Sequence, residues 1–286
     1  MITIGGVLAS AVSLPRAGRG RFHAPQPLQS WPGIVHGGGL LAALDDAAAR
    51  AGLAGAPRVL EGRLTSSVPL ETELELDARE RDGAMTLTVL QDGQTLTSAS
   101  VAPLRDGGRA TAPAWRGGGA GWPLPLSEDC LACGARNPLG LQVGLAFDDE
   151  GVWARLTPRA PWSTKAGTLH PAVAPVLLDE IAWWLGALMM QEGGLTNRIG
   201  LTLLDGALPA GTPLLGVGRF DQVEPVDRKR TFWRTASALL TEAGDLLATA
   251  SIVFRGGPDY SSRQMDYFRA RTAPDLFRRM FPGYAR

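Results

Sequence analysis

Apolar and polar positions alternate along two long stretches of the chain. They predict strands over Val59 to Val68, Glu71 to Arg79, Met85 to Gln91 and Thr95 to Leu104, then over Ile199 to Leu204, Leu214 to Val223, Arg230 to Thr241 and Leu246 to Phe254. Turn signals such as Asp82-Gly83, Asp92-Gly93 and Ala243-Gly244 separate several of these runs. Ahead of each set lies a segment that is apolar nearly all round, Gly38 to Ala51 and Ala174 to Gln191, as expected of a helix enclosed by its surroundings. Val7 to Leu14 and Leu139 to Phe147 have the character of opening strands. A helix followed by antiparallel strands, twice over, makes the fold class α+β.

The two stretches are copies. With His36 laid on His170 and no gap, Arg21 meets Arg155, Pro27 meets Pro161, Gly33 meets Gly167, Leu44 meets Leu178 and Asp45 meets Asp179. Asp46 meets Glu180, and Ser30 meets Thr164. A Gly-x-x-His turn followed at one fixed distance by two consecutive acids is a specific pattern, so the duplication sets the architecture. The predicted organisation is an N-terminal domain over 1–107, a Gly- and Pro-rich linker over 108–129, a C-terminal domain over 130–257 and a tail over 258–286. The tail, with Met265 to Phe268 and Leu276 to Phe281, is expected to form one or two short helices packed on the outside.

Composition narrows the classes. The 286 residues suffice for two cores, and 28 basic against 28 acidic residues leave no basic field for nucleic acid. The N-terminus lacks the basic start of a signal peptide, and the most apolar stretch, Ala172 to Met190, carries Asp179 and Glu180 near its centre. A soluble, cytoplasmic protein without membrane attachment is expected. Cys130 and Cys133 supply half the ligands of a structural zinc site, and His23, His36 and His170 show no ligand spacing around them. The pair reads as a buried turn, with no metal and no cofactor.

The segment Trp31-Pro-Gly-Ile-Val-His-Gly-Gly-Gly-Leu-Leu-Ala-Ala-Leu-Asp45-Asp46 resembles the helix-start motif of the hot-dog acyl-CoA thioesterases of the PaaI-like, 4-hydroxybenzoyl-CoA thioesterase type. Cys130-Leu-Ala-Cys-Gly-Ala-Arg-Asn-Pro-Leu-Gly-Leu141 resembles the opening segment that many members carry. The resemblance spans residues 5–104 and 130–256. It implies two tandem hot-dog domains, each an antiparallel sheet wrapped around a long helix, side by side as a pseudo-dimer. It also implies a site between the two units, where the helix N-terminus of one faces an acid on the central helix of the other. By the family's spacing Asp45 and Asp179 hold the acid position.

The chemistry then separates the copies. A helix N-terminus offers unpaired amides and a favourable dipole to a thioester oxygen, and Gly37, without a side chain, lets a ligand approach its N–H. The second copy has Pro171 in that place and Pro175 one turn on, which removes donors and pushes the helix start downstream. One functional site is therefore expected, built from His36 and Gly37 of the first half and Asp179 of the second, with Glu180 the second choice of acid. The carboxylate would serve as base or nucleophile on an acyl thioester whose CoA moiety is part of the substrate. Where many family members carry Asn ahead of the His, this chain has Ser30, with Gln29 beside it. Asp45 and Asp46 are expected to be relics or structural; Trp183 and Trp184 are expected to pack the core, with closure of the acyl pocket as the other use. Arg58, Arg63, Arg198, Arg219, Arg228 and Lys229 are candidates for CoA phosphates, none singled out. A non-catalytic acyl-CoA binding protein is the alternative. Hydratases and dehydratases fit less well, because dehydratases of this fold place the acid further along the helix, where Arg50 and Trp184 stand. Further pairing of two tandem chains into a homodimer is left open.

Overall fold

The computed structural model describes residues 2–14, 18–53, 55–105, 115 and 120–285. The first half runs α1 (Ile4–Ala11), β1 (Val12–Ser13), β2 (Gly18–His23), α2 (Gly37–Arg50), β3 (Arg58–Leu64), β4 (Glu73–Arg81), β5 (Ala84–Gln91) and β6 (Gln94–Pro103). The second runs β7 (Trp122–Pro123), β8 (Leu145–Phe147), β9 (Gly151–Leu156), α3 (Val173–Met190), β10 (Gly194–Leu203), β11 (Leu214–Arg219), β12 (Glu224–Pro225), β13 (Phe232–Thr241) and β14 (Leu246–Gly256), followed by α4 (Pro258–Arg269) and α5 (Pro274–Met280). All pairings are antiparallel, in the order β1-β2-β4-β5-β6-β3-β10-β14-β13-β11-β9-β8-β7, with β12 beside β13.

Apart from the additional edge strand β7, the order reads the same from both ends. Strands β3 and β10 open the strand run after each helix and pair with each other, Leu60 opposite Leu201, so the two half-sheets become one. Both residues are buried, as are Ile199 and Leu203, while Glu61 and Arg63 point to solvent. This period-2 pattern fixes the register, since a one-residue slip would expose the whole apolar set. Each fully buried Leu contributes about 1.5–3 kcal/mol.

Helices α2 and α3 pack against each other and on the sheet. Their approach explains the glycine run. A Cβ on Gly38 would fall inside the contact radius of the Pro175 carbonyl, and one on Gly39 would lie 2.7 Å from Leu131 Cδ2. In an open helix Gly→Ala stabilises by about 1 kcal/mol, but here the neighbour is backbone and cannot swing away. Gly38→Ala is therefore expected to destabilise the chain by about 1–3 kcal/mol through overpacking, read as a lower urea midpoint at unchanged slope.

The two expected opening strands change type or length, and the expected Val59 to Val68 and Leu214 to Val223 end early, at Leu64 and Arg219. Val7 to Leu14 is mostly the helix α1, capped by Thr3, whose Oγ1 accepts from the Gly6 amide. Its buried residues Ile4, Leu8 and Ala11 follow helical spacing. Of Leu139 to Phe147 only Leu145–Phe147 is strand; the residues before it are irregular, with a turn at Pro138–Leu139. The predicted linker is described only in part, because 106–114 and 116–119 lie outside the described residues; its last part supplies β7, paired to β8. The tail is helical as expected but not peripheral. Met265, Phe268, Phe277, Met280 and Phe281 are buried, and buried Ser261 and Gln264 bond the amides of Gly193 and Gly194.

Candidate active site

The first Gly-x-x-His turn is held by backbone. The His36 amide donates to Leu28 O, and the Val35 amide to Val68 O. His36 is the N-cap of α2, and its Nδ1 accepts from the Gly39 amide at 3.3 Å. The next two amides divide the remaining roles. The Gly38 N–H donates to Asp179 Oδ2 on α3 at 2.7 Å. The Gly37 amide has no hydrogen-bond partner among the described residues, and Gly37 lines a cavity of about 320 Å³.

That cavity collects all five predicted site residues, Ser30, His36, Gly37, Asp179 and Glu180. Asp179 is buried, with Oδ1 accepting from the Thr196 hydroxyl at 2.7 Å. A Cβ on Gly37 would lie 2.8 Å from Asp179 Oδ2. The glycine thus makes room for the acid as well as for a ligand. Glu180 Oε2 lies 3.3 Å from His36 Nε2 and 3.8 Å from Cys130 Sγ. Ser30 lines the cavity while its amide bonds Ile34 O. Gln29 does not join them: its Oε1 accepts from Gln26 and from the Gly33 amide, tying the turn.

Burial opposes charge on Asp179 and on His36. It raises the Asp179 carboxyl above its ordinary 3.8, against His36, the Thr196 hydroxyl and the Gly38 amide, which favour the anion. For His36 burial acts downward, but hydrogen bonds to Cys130 and Glu180 and the nearby Asp179 outweigh it and lift the imidazole well above 6.5. In the neutral ring Nδ1 accepts from Gly39. Once protonated, Nδ1–H turns to Asp179 Oδ2, 3.5 Å away. Cys130 is lowered to about 7, chiefly by its hydrogen bond with Cys133.

The second copy has been taken apart. Helix α3 starts at Val173 with no side-chain cap, later than α2 starts relative to its His. Asp45 is clamped by Arg58, with Nε to Oδ1 at 2.8 Å and Nη2 to Oδ2 at 2.6 Å. This removes Arg58 from the candidates for phosphate binding. Helix α1 packs on α2 and on the 160–162 turn, and a Cβ on Gly5 would lie 3.2 Å from the His170 ring. The N-terminal helix thus lies against His170, the second copy's counterpart of His36.

Several site residues escaped the sequence reading. The cysteine segment belongs to the second half but docks on the first: the Leu131 amide bonds Gln29 O, and Asn137 Nδ2 bonds Pro27 O. Cys130 therefore stands beside His36, a proximity that no local spacing could reveal. Thr196 enters as the residue that orients Asp179. Trp31, Trp183 and tail residue Phe268 form a cavity wall, with Trp31 and Phe268 centroids 5.2 Å apart. Trp184 lines the cavity too, although it is buried as expected. Arg255, held over Tyr260, is the only Lys or Arg among the described lining residues.

No family model matches the chain, and no curated protein matches it by sequence. Solved structures do. A conserved hot-dog-fold protein of unknown function from Alicyclobacillus acidocaldarius superposes with TM-score 0.59 at 17% identity, covering 87% of this chain and 97% of that one. An acyl-CoA thioesterase II from Mycobacterium marinum superposes with TM-score 0.56 at 15% identity, covering 89% and 98%. A dehydratase domain from Pseudomonas fluorescens superposes with TM-score 0.57 at 16% identity, covering 85% and 96%. The architecture is the hot-dog fold, in tandem.

Proposed function

We propose that the chain hydrolyses acyl thioesters such as acyl-CoA at one site between its two halves. The observation that carries this reading is the unpartnered Gly37 amide and the Asp179 carboxylate lining the same aromatic-walled cavity. The acyl group lies along Trp31 and Trp183, with the thioester oxygen on Gly37 N–H at the positive end of α2. Asp179 takes a proton from a water that attacks the carbonyl carbon. The C–S bond then breaks, and the thiolate leaves with that proton. Each carboxylate oxygen has two lone pairs, so the bonds from Thr196 and Gly38 hold Asp179 in place and still leave acceptor capacity. Arg255 faces the phosphates of the CoA moiety.

Dehydration fits less well, since the acid position used by dehydratases of this fold holds Arg50 and Trp184. Binding without turnover is the second reading, favoured by the engagement of both Asp179 oxygens. Release of free CoA from a panel of short, aromatic and long acyl-CoAs separates the two. Steady turnover of at least one is expected, and binding of the whole panel with no CoA released would leave only the second reading. In the same assay Arg255→Ala is expected to raise KM by about tenfold at unchanged kcat, the loss of one charge-assisted contact.

A further inference from the structure

Three ligating atoms converge beneath the cavity. His36 Nε2, Cys130 Sγ and Glu180 Oε2 all lie within 4.8 Å of one another, and all three residues line the cavity. They come from three separate parts of the chain: the cap of α2, the docked cysteine segment and the second turn of α3. Two features around them are those of a metal site rather than of an incidental cluster. The Ala132 amide points at Cys130 Sγ at 3.3 Å. Amide donors of this kind favour sulfur that carries negative charge. Asp179 Oδ2 stands 3.5 Å from His36 Nδ1, the other ring nitrogen. With a metal bound the ring gives up its Nε2 proton and keeps the one on Nδ1, which it donates to Asp179 Oδ2 in place of accepting from the Gly39 amide, so that Nε2 is free to ligate.

We infer that His36, Cys130 and Glu180 bind a thiophilic divalent cation of the zinc class. One nitrogen, one thiolate and one carboxylate suit a borderline-soft ion, and hard ions such as Mg2+ would reject the sulfur. The ligand charges, one thiolate and one carboxylate, balance the two positive charges of the ion. Three protein ligands leave a fourth position, which opens toward the cavity. The backbone of Gly134 closes the cysteine turn against the Cys130 main chain, so the sulfur is presented by a stiff loop. The inference goes beyond hydrolysis and does not rest on it, because the test reads the metal and not turnover.

The test titrates Co2+, a coloured substitute for Zn2+, into the reduced, metal-free full chain. The expected result is one equivalent bound, with a thiolate-to-cobalt charge-transfer band that Zn2+ abolishes. Cys130→Ser is expected to remove the band, and Asp179→Asn to weaken binding by about 10–100-fold as the partner behind the ring. His23→Asn, on an exposed strand, is expected to change nothing. No band in the wild type, or an undiminished band in Cys130→Ser, would overturn the site. Should Cys130→Ser fail to fold, alkylation of the wild-type thiols decides: Zn2+ protecting Cys130 supports the site, and equal labelling with and without Zn2+ rejects it.

Discussion

Asp179→Asn is expected to lower kcat for acyl-CoA hydrolysis by about 10²–10⁴-fold, the usual contribution of a positioned acid or base, while the chain stays folded. The substitution is mild in this setting. An Asn can keep its oxygen on the Gly38 amide and turn its NH2 to the Thr196 hydroxyl, which can accept as well as donate. Folding is checked by the urea midpoint, activity by CoA release. The wild-type profile carries a second signature. Burial raises the Asp179 carboxyl above 3.8, so kcat/KM should fall on acidification through a value above 3.8, and the limb should vanish with the residual activity of the variant. Asp45→Asn should leave kcat close to wild type. Should Asp45→Asn prove the more damaging change, or should the Asp179→Asn variant turn over normally, a single site using this acid is wrong.

Much of this arrangement was legible from residues alone, and what was not has physical causes. The main strands follow from periodicity, because each buries one face, and the helices α2 and α3 follow from runs that are apolar nearly all round, because both are enclosed. The loss of symmetry was legible at Pro171, since a missing N–H is a covalent fact. Helix α1 stands where a strand is expected because a short apolar run can serve as strand or helix. Thr3 ahead of Ile4, Leu8 and Ala11 was the overlooked signal, a cap followed by a one-face pattern. The aromatic tail was placed outside because its polar positions hide what they do: Ser261 and Gln264 are buried and spend their hydrogen bonds on Gly193 and Gly194. Cys130 beside His36 was beyond reach, since their approach depends on the docking of one half's leading segment on the other half's turn.

The same asymmetry makes Asp45 a stability residue, and Arg58→Met is expected to cost about 3–5 kcal/mol, the usual penalty for stranding one member of a buried ion pair. The Arg58 and Asp45 side chains are only 9% and 10% exposed, joined by two hydrogen bonds. Already in the wild type burial holds the Asp45 carboxyl above 3.8 against the opposing guanidinium. Without Arg58 that rise grows, and the variant should bury a neutral acid. The sign follows from linkage: a folded pKa above the unfolded value favours folding below the unfolded value, near 3.8, and the advantage is lost as pH rises through the folded one. Arg58→Met should therefore approach wild-type stability toward pH 4 and fall away from it toward pH 7. Adding Asp45→Leu should restore most of the loss, since an apolar pair replaces a buried ion pair at little cost. Urea midpoints of the single and double variants across this range provide the check, with CoA release at unchanged kcat showing that the second copy contributes stability and not chemistry. A single variant equally stable at both pH values, or a double variant no better than the single, would mean that Asp45 and Arg58 are solvated rather than paired.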